Sequence, residues 1–175
     1  MTTSQIVSWG VAALLLFWAV GAYNRLVRLR GELARRYAPV DEQFGQRHAL
    51  LLQQIDALAP VLANAMPRLD ALRAACQQAE SARLHARARP GRVESITSLR
   101  LAEDILSEAR AKLPVPTTAG TALPEIGAQL AAVDTTLAFA RRQFNEAVEA
   151  YNRAIAQFPT RVLAGLFGFR AGGTL

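Results

Sequence analysis

The sequence predicts an all-α protein: an N-terminal transmembrane helix followed by an antiparallel up-down four-helix bundle. Three observations lead there. Alanine and leucine supply 58 of 175 residues, against 11 glycines and 8 prolines, and both enter a helix at little cost. Apolar residues recur at three- and four-residue spacings over four stretches, with no strand-like alternation. Finally, no charged side chain occurs before Arg25, and that region encloses an apolar run of 17 residues, Ile6 to Ala22.

The apolar run comes first in the chain. At about 1.5 Å per residue it spans about 26 Å, near the lower limit for crossing a hydrocarbon core. Trp9 and Trp18 lie toward its ends and Tyr23 just beyond, where aromatic rings prefer the interface. Val20-Gly21-Ala22 resembles a signal-peptide cleavage site, but the basic segment that precedes a signal core is missing. The reading is therefore an anchor. Arg25, Arg28, Arg30, Arg35 and Arg36 follow it, offset only by Glu32. The positive-inside rule then places the N-terminus outside and the body in the cytoplasm. The chain divides into an anchor (1–23), a helical bundle (24–159) and an apolar C-terminal tail (160–175).

The first bundle helix carries Leu26, Leu29, Leu33, Tyr37, Val40, Phe44, His48, Leu51, Ile55 and Leu58 on a coiled-coil-like seven-residue repeat. Pro39 falls inside it, and because the stripe continues in phase, a kink rather than an end is expected. The second uses Leu62, Ala65, Leu69, Leu72, Cys76 and Ala79, after a bend near Ala59-Pro60. The third uses Ile96, Leu99, Ala102, Leu106, Ala109 and Leu113. The fourth is the most regular, from Leu123 through Leu130, Leu137, Phe144, Tyr151 and Ile155 to Phe158. Arg89-Pro90-Gly91-Arg92 separates the second from the third, and a segment rich in proline and glycine (114–120) the third from the fourth. Thr121 is the expected N-cap of the fourth, and Pro159 stops it. The first and last helices, at about 52 and 55 Å, are matched rods that two shorter helices complete.

Motifs at both ends resemble one family. Tyr23-Asn24-Arg25-Leu26-Val27-Arg28-Leu29-Arg30 follows the anchor, then Val40-Asp41-Glu42-Gln43-Phe44 and Arg47-His48. Near the other end stand Ala140-Arg141-Arg142-Gln143-Phe144-Asn145, Tyr151-Asn152-Arg153-Ala154-Ile155 and Phe158-Pro159, then Ala164-Gly165-Leu166-Phe167-Gly168-Phe169. In these the chain resembles the LemA family, membrane-anchored bacterial helical-bundle proteins. After His48 the family usually continues D-L-I-P-N-L-V, where this chain has Ala49-Leu50-Leu51-Leu52-Gln53-Gln54-Ile55. The resemblance implies the fold, the anchor and a bacterial source, and supplies no activity. It marks Tyr23, Asn24, Arg28, Arg141, Asn145, Tyr151, Asn152, Phe158 and Pro159 as candidate interaction residues.

Composition excludes most chemistry. One cysteine, Cys76, allows neither an intramolecular disulfide nor a thiolate-rich zinc site, and two histidines leave little for other metals. There is no glycine-rich phosphate loop, G-x-S-x-G or H-E-x-x-H. His48 lies on the apolar stripe with no paired carboxylate near it in sequence, so a structural role is expected. Cys76 reads as a buried structural thiol. Asp41-Glu42, Glu103-Asp104 and Glu146/Glu149 read as solvated faces and intrahelical ion pairs. Asn145 and Asn152, seven apart on one helix face, read as setting register between helices.

The net charge of +6 comes from 19 arginines and one lysine against 14 acids. With the turn at 89–92 returned to the membrane end, lipid headgroups are the nearest polyanion, and nucleic acid is the weaker reading. Candidate membrane contacts are Arg25, Arg35, Arg36, Arg87, Arg89, Leu166 and Phe167. The tail is expected either to touch the bilayer or to fold back as a plug. The expectation is a single-pass protein of the bacterial inner membrane, a non-enzymatic scaffold or modulator without catalytic residues, cofactor or metal. Its partners would be the bilayer and other membrane proteins. An enzyme or small-ligand-binding protein, its site built from Tyr, Asn and Arg of the first and last helices, is the alternative.

Overall fold

A computed structural model describes residues 3–113 and 122–175; the expected Thr121 cap lies outside these. Among the described residues the fold is all helical, with no strand. The helices are α1 (Thr3–Leu58), α2 (Met66–Ala88), α3 (Val93–Ala111), α4 (Ala122–Ala156) and α5 (Thr160–Leu166), with a 3-10 turn at Ala63–Ala65.

The anchor and the first bundle helix are one element. α1 runs for 56 residues, about 84 Å. Composition changes at Tyr23-Asn24, but no proline or turn sequence interrupts the backbone there. The helix also continues through Pro39, at the loss of one backbone hydrogen bond. Its first part is exposed on every side, whereas from Leu26 onward one stripe is buried. Of the ten predicted stripe residues nine are buried, and Leu29 is half-buried. The bend after α1 falls at Ala59-Pro60-Val61, and α2 starts later than the pattern suggested, with Pro67 in its first turn.

Side-chain pairs set the helix directions. Asp41, His48 and Asp56 meet Arg83, Glu80 and Arg73 in turn, so α1 and α2 are antiparallel. Likewise Tyr37 meets Phe144 edge-on at 5.5 Å and Arg47 meets Asp134, so α4 returns alongside α1. α2 also packs on α3, while among the described residues no backbone approach closes the ring between α3 and α4. There a cleft of about 220 Å³ lies between Phe44, Asp104, Ser107, Leu137 and Arg141.

The core contains Phe44, Leu51, Ile55, Leu69, Leu72, Ile96, Leu99, Leu106, Leu130 and Phe144, all nearly inaccessible. Fully burying a side chain of this kind contributes about 1.5–3 kcal/mol. The fourth stripe ends earlier than predicted, because α4 stops at Ala156 and Phe158 is 84% exposed.

The last segment is bound to the bundle. After α5 the chain turns at Gly168, whose φ of +69° suits glycine, and runs extended beside α4. Asn152 donates to the Gly172 carbonyl at 3.0 Å and accepts from its N–H at 2.8 Å. Asn145 does the same with Leu175, at 2.8 and 2.9 Å. Seven helical residues rise about 10.5 Å, and three extended residues span about 10 Å, so the two registers match. These asparagines therefore set the register of the tail on α4, not of one helix on another. On its other side the Gly173 N–H donates to the Gly91 carbonyl at 3.1 Å. A Cβ on Gly173 would lie 2.9 Å from the Val93 Cα, so this passage admits only glycine without a shift.

Candidate functional site

Two arrangements carry polar chemistry: a charge network at mid-bundle and the end of the bundle next to the apolar part of α1.

All four long helices contribute to the network. His48 on α1 is 3% exposed, with Nε2 2.6 Å from Glu103 of α3 and Nδ1 3.0 Å from Glu80 of α2. Arg47 donates to Glu103 at 2.5 Å and to Asp134 of α4 at 2.8 Å. Arg83 donates to both Glu80 oxygens, at 2.6 and 2.8 Å, and to Asp41 at 2.6 Å. Both imidazole nitrogens face carboxylates, and only a doubly protonated ring donates to both.

The Arg83 hydrogen bonds hold the Glu80 carboxyl at about 2, with His48 helping against the cost of burial. Reciprocally, the bond to Glu80 raises the Arg83 pKa. Burial, with Glu103 adding, pushes the Cys76 thiol up to about 11, so it is poorly nucleophilic. The structural reading of Cys76 holds.

Two expectations need correction here. Asp41 and Glu103 are buried rather than solvated. His48 does have paired carboxylates, supplied by helices 32 and 55 residues away in sequence. What the sequence offered was a histidine in phase with an apolar stripe; its partners needed the fold. Every charge in the network has an opposite partner, and the desolvation of its buried members offsets much of what their pairing contributes to stability.

At the other end, Tyr23 packs on Phe167 and Phe169, with ring centroids 5.0 and 5.8 Å apart. Leu26, Ala154 and Ala164 form a small separate core there, with Phe169 against it. α5 thus seats on the junction between the apolar and striped parts of α1. The tail divides: Ala164 and Phe169 turn inward, while Val162, Leu166 and Phe167, like Phe158 just before it, are more than half exposed.

The other predicted residues scatter. Asn24, Arg25, Arg28 and Arg89 are exposed. Arg35 and Arg36 both engage Glu32, and Arg36 also donates to Gln143 at 2.7 Å. Arg87 approaches Asp41 at 3.7 Å. Arg141 lines the α3–α4 cleft, away from Tyr151. Pro159 is exposed just before α5. Tyr151 is 3% exposed and borders a different cleft, of about 560 Å³, with Arg30, Arg92 and Arg170. Burial raises its pKa and nearby Arg30 opposes the rise.

No group of three or more His, Cys, Asp or Glu side chains suited to a metal ion occurs among the described residues. No curated protein matches the chain. The LemA family matches it over residues 36–174, from within the first bundle helix almost to the C-terminus. The chain therefore belongs to the LemA family.

Proposed function

We propose that this LemA-family member is a single-pass protein of a bacterial inner membrane whose body works in the cytoplasm as a non-enzymatic scaffold or modulator of other membrane and envelope proteins. Its four long helices act as an up-down four-helix bundle with a coiled-coil-like seam between α1 and α4. The observation that carries the reading is the continuity of α1 from an apolar segment into the bundle core. A helix uninterrupted across that junction holds the body at a set height and orientation over the bilayer, which suits a docking post.

The arginines that follow Ala22 support the cytoplasmic placement. The outward residues Phe158, Val162, Leu166 and Phe167 support a second contact with the lipid interface. Against catalysis by the Tyr, Asn and Arg residues of the end helices, both Asn145 and Asn152 amides are committed to the tail backbone.

Crosslinking in native membranes followed by mass spectrometry tests the role, and C-terminal topology reporters test the placement. The expected outcome is a recurrent set of membrane-protein partners, with a fluorescent C-terminal fusion bright and an alkaline-phosphatase fusion inactive. Robust turnover of a hydrolase or transferase substrate by the purified protein, abolished by substitution at Tyr151, would overturn the non-enzymatic reading.

A further inference from the structure

The cleft beside Tyr151 differs from the mid-bundle network in one respect: its charges are unmatched. Arg30 from α1, Arg92 before α3 and Arg170 after α5 border it, with Glu94 the acid on its wall. Among the described residues none of the three arginines has an ion-pair partner. Arg47, Arg73, Arg83 and Arg110 reach carboxylates, and although Arg68, Arg100 and Arg142 also stand unpaired among the described residues, none of those three lines this cleft.

The Tyr151 hydroxyl adds an independent sign. Its side chain is almost wholly buried, yet the hydroxyl makes no hydrogen bond among the described residues. Unlike the sealed-off Tyr37 hydroxyl, it is reached by solvent, and the space that Tyr151 borders is this cleft, where the hydroxyl is free to donate to a ligand. The start of α3 also lines it without a side-chain cap, though the bridge between Arg92 and Gly172 turns its first N–H, that of Val93, to the tail.

We propose that this cleft binds a phosphate group, with the Tyr151 hydroxyl and the Arg30 and Arg170 guanidiniums as its donors. A phosphate offers several oxygens to donors converging from different elements, and guanidinium forks match it two at a time. Three cations against one carboxylate leave a surplus that a phosphate anion neutralises.

A lipid headgroup is one source. Arg30 lies eight residues beyond Ala22, about 12 Å along α1, and helical side chains lean toward the N-terminus, here toward the bilayer. The adjoining headgroup layer extends about 5–8 Å past the hydrocarbon. A soluble phosphate is the other source. The lipid source rests on the anchoring reading, whereas binding of inorganic phosphate does not, so the two can fail separately.

The test uses the full-length protein in neutral detergent micelles. Native mass spectrometry follows retention of phosphatidylglycerol, and phosphorus NMR follows inorganic phosphate. The variants are Tyr151→Phe, which removes only the hydroxyl, and Arg30→Gln with Arg170→Gln, which leaves the core untouched. Arg68→Gln with Arg100→Gln, both exposed and outside the cleft, controls for lost charge. We expect about tenfold weaker retention in the first two variants and none of that loss in the control, with melting temperatures unchanged. Retention of phosphatidylglycerol by this pattern assigns a lipid headgroup. Binding of inorganic phosphate by the same pattern, without lipid retention, keeps the site and assigns a soluble ligand. Neither probe binding, or both binding undiminished in the cleft variants, overturns the proposal.

Discussion

The two parts of α1 share one backbone and meet opposite surroundings. From Ile6 to Ala22 apolar residues face every direction and all but Ala19 and Ala22 are exposed; from Leu26 to Leu58 they fall on one stripe, which is buried. A helix apolar all round has no polar face to offer water and is satisfied by a bilayer, whereas a striped one is satisfied by neighbouring helices. Helicity itself is indifferent to the change, which is why the element crosses the compositional boundary without a break.

The sharpest way to separate the parts is to charge the first. Replacing Leu15 and Leu16 by Arg costs about 5–7 kcal/mol for insertion of the segment. Membrane fractionation should be lost while the bundle melts at its usual temperature. A lowered melting temperature would mean that the parts depend on each other.

The reverse experiment acts on the stripe. Phe44 is 1% exposed and central, and Phe44→Ala should lower unfolding free energy by about 3–5 kcal/mol. The variant should still sediment with membranes, and chemical denaturation measures its loss.

A smaller effect concerns the tail, which ties the far end of the chain to the junction between the parts. Asn152→Ala leaves both polar groups of Gly172 without their side-chain partner and should cost about 1–3 kcal/mol. Limited proteolysis should then cut within 167–175 while α1 and α4 resist. Equal resistance across the whole chain would show that the paired asparagine contacts contribute little.

The smallest expected effect is the pH response of Glu80. Its carboxyl is held at about 2 from an ordinary value of 4.5. A depressed folded-state value means that its contribution is complete above about 4.5 and is lost as pH falls from there toward 2. Because the side chain is 38% exposed, the response should be modest. Glu80→Gln should flatten the fall in melting temperature across that window and leave the apolar first part of α1 unaffected.

These contrasts also show what could be read in advance. The stripe of α1, the regularity of α4 and the breaks at Pro60 and Pro90-Gly91 were legible, since period and backbone chemistry are local properties. The continuity of α1 was not, because a change of composition looks locally the same as a change of element. The network was hidden for another reason: His48, Glu80 and Glu103 are brought together only by helix packing. The tail carried a signal that lacked its partner. Two asparagines seven apart on a helix match two extended residues three apart, and nothing in either segment alone points to the other. The Tyr151 cleft belongs with these, since the residues that border it come from four separate places in the chain.

The central claim is that one rigid helix joins the membrane to the bundle. Spin labels at Ser8→Cys and Arg35→Cys, both exposed positions on α1, test it directly in nanodiscs, with buried Cys76 left in place. Twenty-seven helical residues place their backbones about 40 Å apart. Pulsed electron resonance should give a single narrow distance distribution near that value. A broad distribution, or a mean well below it, would reveal a hinge between Ala22 and Leu26 and contradict the account.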